Sequence, residues 1–117
     1  MNETRAAYNL KPLTVDPALA RAARAHSRHM VLRRSFTHGQ FMCRMRRFGV
    51  RGAVVAENIA WWPDTRALAR IVVRLWLRSP HHRLNLLRPG FRRVGIGAVG
   101  GVYRGGKVRM VTVDFAG

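Results

Sequence analysis

Acidic side chains are few in this sequence: five, against 22 lysines and arginines in 117 residues, which leaves a formal net charge of +17. Such an imbalance predicts nonspecific affinity for polyanions, among them nucleic acid, anionic lipid and acidic cell-wall polymer, and does not choose between them. Lysine is nearly missing as well, with Lys11 and Lys107 the only two, so arginine carries the charge; a GC-rich genome produces the same bias. Cysteine occurs once, at Cys43. No intramolecular disulfide can form, and the fold must stand on packing. No apolar run reaches bilayer-spanning length, since even Ile71-Val72-Val73 is broken by Arg74. Met1-Asn2-Glu3-Thr4-Arg5 lacks an apolar core behind its charges and does not read as a signal peptide. Internal repeats and low-complexity linkers are absent too. What remains is a chain sized for one packed domain, with an ordinary apolar fraction that argues against wholesale disorder.

Helical spacing dominates the first three quarters of the chain. Asn2 to Tyr8 suits a short helix. Asp16-Pro17 is a helix start, with a capping carboxylate and a proline tolerated in the first turn. From there Leu19, Ala22, Ala23, His26 and Met30 follow one face to about Leu32, while Arg21, Arg24 and Arg28 take the other. Residues 41–48 look like a further short basic helix. Val54 to Ile59 reads as a strand, and Asp64-Thr65 offers caps for a helix from Arg66 to Arg78 whose inner stripe is Leu68, Ile71, Val72 and Leu75. Pro80 stops it, and a short turn of helix from His81 to Leu87 follows. The period then changes to two. In Val94-Gly95-Ile96-Gly97-Ala98 the alternate glycines leave one strand face bare, so something can approach its backbone closely. Gly105-Gly106 marks a hairpin turn, with Val108 to Phe115 returning. Helices around few strands and a C-terminal antiparallel hairpin predict an α+β domain.

Two imidazoles and a carboxylate in three separate segments, His38, Glu57 and His82, are what a small polar cavity or a divalent-metal site needs, because each supplies a lone pair. The same residues also suit a purely structural role, with Glu57 accepting hydrogen bonds from the histidines in a buried polar knot. Ser79 lies three positions before His82 and suggests a nucleophile and base, a weak signature without a third residue or oxyanion donors. His26, on the inner face of its helix, reads as a satisfied core group, and Cys43 as a buried, inert thiol in preference to a thiolate favoured by its basic neighbours. Arg66, Arg70, Arg74 and Arg78 recur every four residues and predict a cationic ridge, either a merely solvated face or a surface for an anionic partner. Trp61-Trp62 beside it supplies an amphipathic edge for a lipid interface or an apolar ligand. No helix-turn-helix, zinc-finger or RNA-recognition signature is present, so specific nucleic-acid binding is not expected.

The order Asn2-x-x-Arg5, Leu10-Lys11-Pro12-Leu13, Asp16-Pro17-x-Leu19, Ala23-x-x-His26-Ser27-x-x-Met30, Phe36-x-His38, Glu57-Asn58-Ile59-Ala60, Trp76-x-x-Ser79-Pro80-x-His82-Arg83-x-Asn85-Leu86-Leu87, Phe91-x-x-Val94-Gly95-Ile96-Gly97 and Asp114-Phe115 resembles the bacterial, SCP-like extracellular branch of the CAP superfamily. That superfamily also holds the cysteine-rich secretory, antigen 5 and pathogenesis-related proteins. The resemblance covers almost the whole chain and implies one domain over residues 1–117, folded as a three-layer α-β-α sandwich with a small antiparallel sheet between helices. It also implies that Met1 falls close to the start of the family's first-helix motif, so that a leader or the start of that helix is missing. Secretion, to the cell surface or beyond, is implied in the same way. So is a central cleft lined by His38, Glu57 and His82, which in some members holds a divalent cation; two histidines and a glutamate suit zinc, with a fourth position for water. Ser79 stands where eukaryotic members carry a second glutamate, which removes one acidic ligand. Ala56 and His81 stand where glycine is usual. The resemblance points to a secreted binding protein for a metal ion or a small ligand such as a lipid, with anionic lipid or cell-wall polymer as partner. A metal-dependent or peptidase-like hydrolase working in the same cleft is the alternative, and charge-driven nucleic-acid binding a third reading.

Overall fold

The computed structural model describes all residues, 1–117, as five helices around one four-stranded sheet. Helix α1 (Asn2–Ala7) leads to the two-residue strand β1 (Thr14–Val15) and the long helix α2 (Pro17–Arg33). Asp16 caps α2 as its sequence suggests: Oδ1 accepts from the amides of Ala18 and Leu19, while Arg93 holds Oδ2 at 2.5 Å. Arg93 keeps the Asp16 carboxyl below its ordinary pKa. Helix α3 (Phe41–Arg47), strand β2 (Val55–Pro63), helices α4 (Leu68–Leu77) and α5 (Pro80–Leu86), and the hairpin of β3 (Arg93–Tyr103) and β4 (Gly106–Ala116) complete the chain.

The sheet runs β1-β3-β4-β2, antiparallel across β3/β4 and β2/β4. It is not wholly antiparallel, because β1 adds to β3 in parallel. Both side chains of β1 are exposed, so no burial pattern marks it in the sequence. The hairpin turns on Arg104-Gly105, both at positive φ (49° and 81°), one residue earlier than Gly105-Gly106. Paired positive values are those of a type I′ turn, which matches the strand twist.

Strand alternation sends residues of the sheet to two helical layers. One face packs α1, α4 and α5 over a core of Leu13, Val72, Trp76, Leu86, Phe91, Val111, Val113 and Phe115. Trp76 Nε1 donates to the Ile59 carbonyl at 3.1 Å, which pins α4 to β2. The opposite face lies under α2 and α3, where Leu19, Ala22, Met45 and Ala116 pack together. The bare strand face is occupied by α2: a Cβ on Gly95 would land on the backbone of Leu19 and Ala20, and one on Gly97 on that of Ala23 and Arg24.

Several segments differ from the periodic reading. Strand β2 continues through Trp61 and Trp62, so Trp61 packs edge-on against Tyr103 instead of sitting at a helix start. Helix α4 begins at Leu68, and Asp64 pairs with Arg109 at 3.4 Å instead of capping it. Its buried face is Val72 and Trp76, with Leu75 turned to solvent. The expected four-arginine ridge shrinks accordingly. Only Arg70 and Arg74 lie within α4; Arg66 precedes the helix and Arg78 is its C-cap. Cys43 is exposed on α3 and not buried, because the inner face of that short helix is taken by Met45.

Candidate functional site

Glu57 lies in β2 with its side chain almost fully buried on the α2/α3 side of the sheet. A buried carboxylate must be paired, and here both oxygens are. Oε1 accepts from His38 Nδ1 at 2.8 Å, and Oε2 is ion-paired with the Arg44 guanidinium from α3. The other arm of Arg44 donates to the His38 carbonyl at 3.2 Å, so one side chain ties α3, the α2–α3 loop and β2 together. His26, from α2, donates through Nε2 to the Thr37 carbonyl at 2.7 Å and stands 3.9 Å from Glu57 Oε1. Burial holds the His26 pKa below its ordinary value, although the charge of Glu57 opposes this.

Directly opposite Glu57 on β4 stands Asp114, fully buried. As a carboxylate it would have two buried oxygens with no donor. Burial first, and then the hydrogen bond and charge of Glu57, push its pKa up to about 9. Protonated at neutral pH, Asp114 becomes a donor facing the carboxylate across the strand pair.

His82 reaches the same sheet edge from the other layer. Strand β2 is an edge strand, so the loop carrying His38 and the helix carrying His82 come round it from opposite faces. His82 Nδ1 lies 2.8 Å from Ser79 Oγ, and its ring stacks on Trp76. Burial lowers its pKa, followed by the charges of His38 and His81. Asn58, pointing away from Glu57, donates to the His82 carbonyl at 3.0 Å and accepts from Asn85 Nδ2 at 2.9 Å. Of the two adjacent histidines His82 is the half-buried one and His81 the exposed one.

The four site residues expected from the sequence therefore divide into two pairs, His38 with Glu57 and Ser79 with His82. As arranged, they do not fit a zinc ion held by His38, Glu57 and His82. One Glu57 oxygen is committed to a guanidinium and the other to an imidazole N–H, while His82 Nδ1 is turned to Ser79, so these three side chains are not gathered around one point. Three participants escaped the sequence reading: Arg44, one of twenty arginines; Asp114, in a stretch that reads as an ordinary alternating strand; and His26, which is a core residue but one that faces Glu57.

A second feature lies under α4. An apolar pocket of about 160 Å³ is lined only by hydrophobic residues, among them Leu68, Val72, Val73, Trp76, Ile96 and Ala98. It adjoins a larger opening of about 760 Å³ whose wall carries Arg70, Arg74 and Glu3.

Layered helices on a four-stranded sheet, with a histidine and glutamate cluster at one sheet edge, define the class. The chain belongs to the CAP family: the model of the cysteine-rich secretory protein family matches residues 1–115. It is 36 % identical over 103 residues to the uncharacterized protein YkwD of Bacillus subtilis (strain 168), covering 84 % of this chain and 39 % of YkwD. It is similar to the crystal structure of an extracellular protein containing an SCP domain from Bacillus anthracis, at 31 % identity and a TM-score of 0.79, covering 98 % of this chain and 37 % of that one. The fold is also that of an outer surface protein from Borrelia burgdorferi, with a TM-score of 0.77 at 24 % identity over 98 % of this chain and 85 % of the other. The chain thus spans about two fifths of YkwD and of the Bacillus anthracis protein.

Proposed function

We propose that this domain is the ligand-binding part of an exported protein, and that its ligand is an amphiphile with an acyl chain and an anionic head. The observation that carries this reading is the wholly apolar pocket under α4, opening beside Arg70 and Arg74. Each methylene taken from water into such a pocket contributes about 0.8 kcal/mol. The two arginines then supply a head-group site. Export is supported by the similarity to the extracellular Bacillus anthracis protein. The apolar ligand thus falls in a different place from the polar His38–Glu57 cluster, which we read as a structural knot. The hydrolase reading retains the Ser79–His82 hydrogen bond, but no carboxylate pairs with His82 to orient it as a base.

Titration with the fluorescent fatty acid cis-parinaric acid tests the proposal. Saturable one-to-one binding is expected, weakened at least tenfold by Ala98→Phe, which fills the pocket. Arg70→Gln with Arg74→Gln is expected to weaken binding of the acid and to leave that of the corresponding alcohol unchanged. Absence of saturable binding by the wild-type chain would overturn the reading.

A further inference from the structure

A row of arginines without ion pairs lies on the layer opposite α4. On the outer side of α2, Arg21, Arg24 and Arg28 follow one another at helical spacing, one step of about 5 Å per turn. Helix α3 faces them with Arg47. Between the two helices run pockets of about 420 and 460 Å³ that share Ala25, His29, Arg47 and Phe48 as wall residues, and so form one groove. The first of these is also walled by Arg44, whose Nε is buried without a hydrogen-bond partner.

Nothing acidic offsets this groove. Glu57 and Asp114 are enclosed in the knot, Asp16 is bound to Arg93, Asp64 to Arg109, and Glu3 lies in α1. None of Arg21, Arg24, Arg28 and Arg47 makes an ion pair. Like charges one turn apart destabilise a helix, so the row is a standing cost that only an external anion relieves.

We propose that the α2–α3 groove binds a linear phosphodiester polymer of the cell envelope. A groove shared by two consecutive pockets suits a chain of repeated phosphates better than a single small anion, and its concavity suits a chain better than a flat bilayer. Nucleic acid is disfavoured by the aromatic content. The groove's one phenylalanine, tyrosine or tryptophan, Phe48, already has the Arg47 guanidinium over it at 5.5 Å, so that only the small imidazole of His29 is left exposed for a base to stack on, against the row of aromatic platforms that single strands use. The placement in the envelope rests on the exported reading above. The groove itself does not depend on the fatty-acid pocket, and failure of the parinaric acid titration leaves it standing.

The test uses the whole chain, delipidated poly(glycerol phosphate), (dT)12 and phosphatidylglycerol-containing phosphatidylcholine vesicles as probes. Two charge-reversal pairs of equal net charge are compared, Arg24→Glu with Arg28→Glu in the groove and Arg66→Glu with Lys107→Glu as a control away from both the groove and the α4 pocket. All four positions are exposed and free of side-chain hydrogen bonds, and circular dichroism checks that both variants fold; Arg21→Gln with Arg28→Gln is the milder substitute. The expected result is binding of poly(glycerol phosphate) that weakens at least tenfold in the groove variant and less than twofold in the control variant. The slope of log K against log salt should fall by about 1.4, near 0.7 for each lost phosphate contact. Equal weakening in both variants would make the attraction diffuse and overturn the proposal. So would tighter binding of (dT)12, binding to vesicles without binding to free polymer, or no binding at all.

Discussion

Asp114 and Glu57 are two carboxylates on adjacent positions of β2 and β4, with one guanidinium between them and solvent. Two buried negative charges so close cannot both persist, and Arg44 settles which one does, by pairing with Glu57. The consequence is a pH dependence with a definite sign. The folded pKa of Asp114, about 9, is raised above that of an unfolded aspartate, so between these values the unfolded chain releases a proton that the folded chain keeps. Its stabilising effect is full below about pH 4 and is lost as pH climbs towards 9, by at most about 1.4 kcal/mol per pH unit. Two histidines act in the opposite sense, because the buried His26 and the half-buried His82 have lowered pKa values and destabilise the fold only as pH falls below about 6.5. Urea denaturation between pH 7 and 9 isolates the aspartate. Stability of the wild type should fall across this range, and Asp114→Asn should show a flatter profile; identical slopes would exclude a protonated Asp114. Only part of this arrangement is visible in the sequence. His38 and Glu57 stand out by residue type and by motif, whereas Thr112 and Asp114 alternate with Val111, Val113 and Phe115 as solvent-facing residues would. Helix α2 covers that face, and nothing local in β4 says so.

Helix α2 could settle on the sheet because β3 has no side chains where the two backbones meet. Gly95 and Gly97 provide the approach, and Ser27 uses it, lying 3.1 Å from the Gly97 carbonyl and 2.8 Å from Thr112 Oγ1. A methyl group at Gly97 meets backbone on α2 and cannot be absorbed by a side-chain rotation, so Gly97→Ala is expected to destabilise the domain by about 1–3 kcal/mol. Gly100→Ala on the same strand meets only the Arg109 side chain at 3.9 Å and the Val108 carbonyl at 4.0 Å, and should leave the thermal midpoint nearly unchanged. Comparable shifts in the two variants would sink this account. The glycine alternation made the close approach legible, and the Asp16-Pro17 start and apolar spacing made its partner legible too. Strand β1 was not, because two exposed residues carry no period. Nor was the start of α4, since Asp64 and Thr65 look like caps until Arg109, on a strand 45 positions away, claims the carboxylate.

At the scale of the whole molecule the five carboxyl groups are far outnumbered, and seventeen positive charges remain. Self-repulsion of that size opposes the compact state, and its screening should be visible. The thermal midpoint is expected to rise as sodium chloride increases from about 20 to about 300 mM; a fall would mean that the few surface ion pairs outweigh the repulsion. The architecture was legible because its motifs recur in order along nearly the entire chain. The distribution of charge was not, since a one-dimensional list of arginines does not show that α3 would fold against α2 and gather them into a groove.

Arg5 has a consequence that reaches further than its helix. Fully buried, its guanidinium spreads over the carbonyls of Lys11, Leu86, Arg88 and Phe91 at 2.8–3.3 Å, which joins α1 to the segment between α5 and β3. Secreted domains of this size commonly close such a loop with sulfur. Here the clasp is a cation on backbone oxygens, indifferent to thiols and oxidants, so the domain needs no disulfide chemistry to reach its native state and keeps the same tie on either side of a membrane.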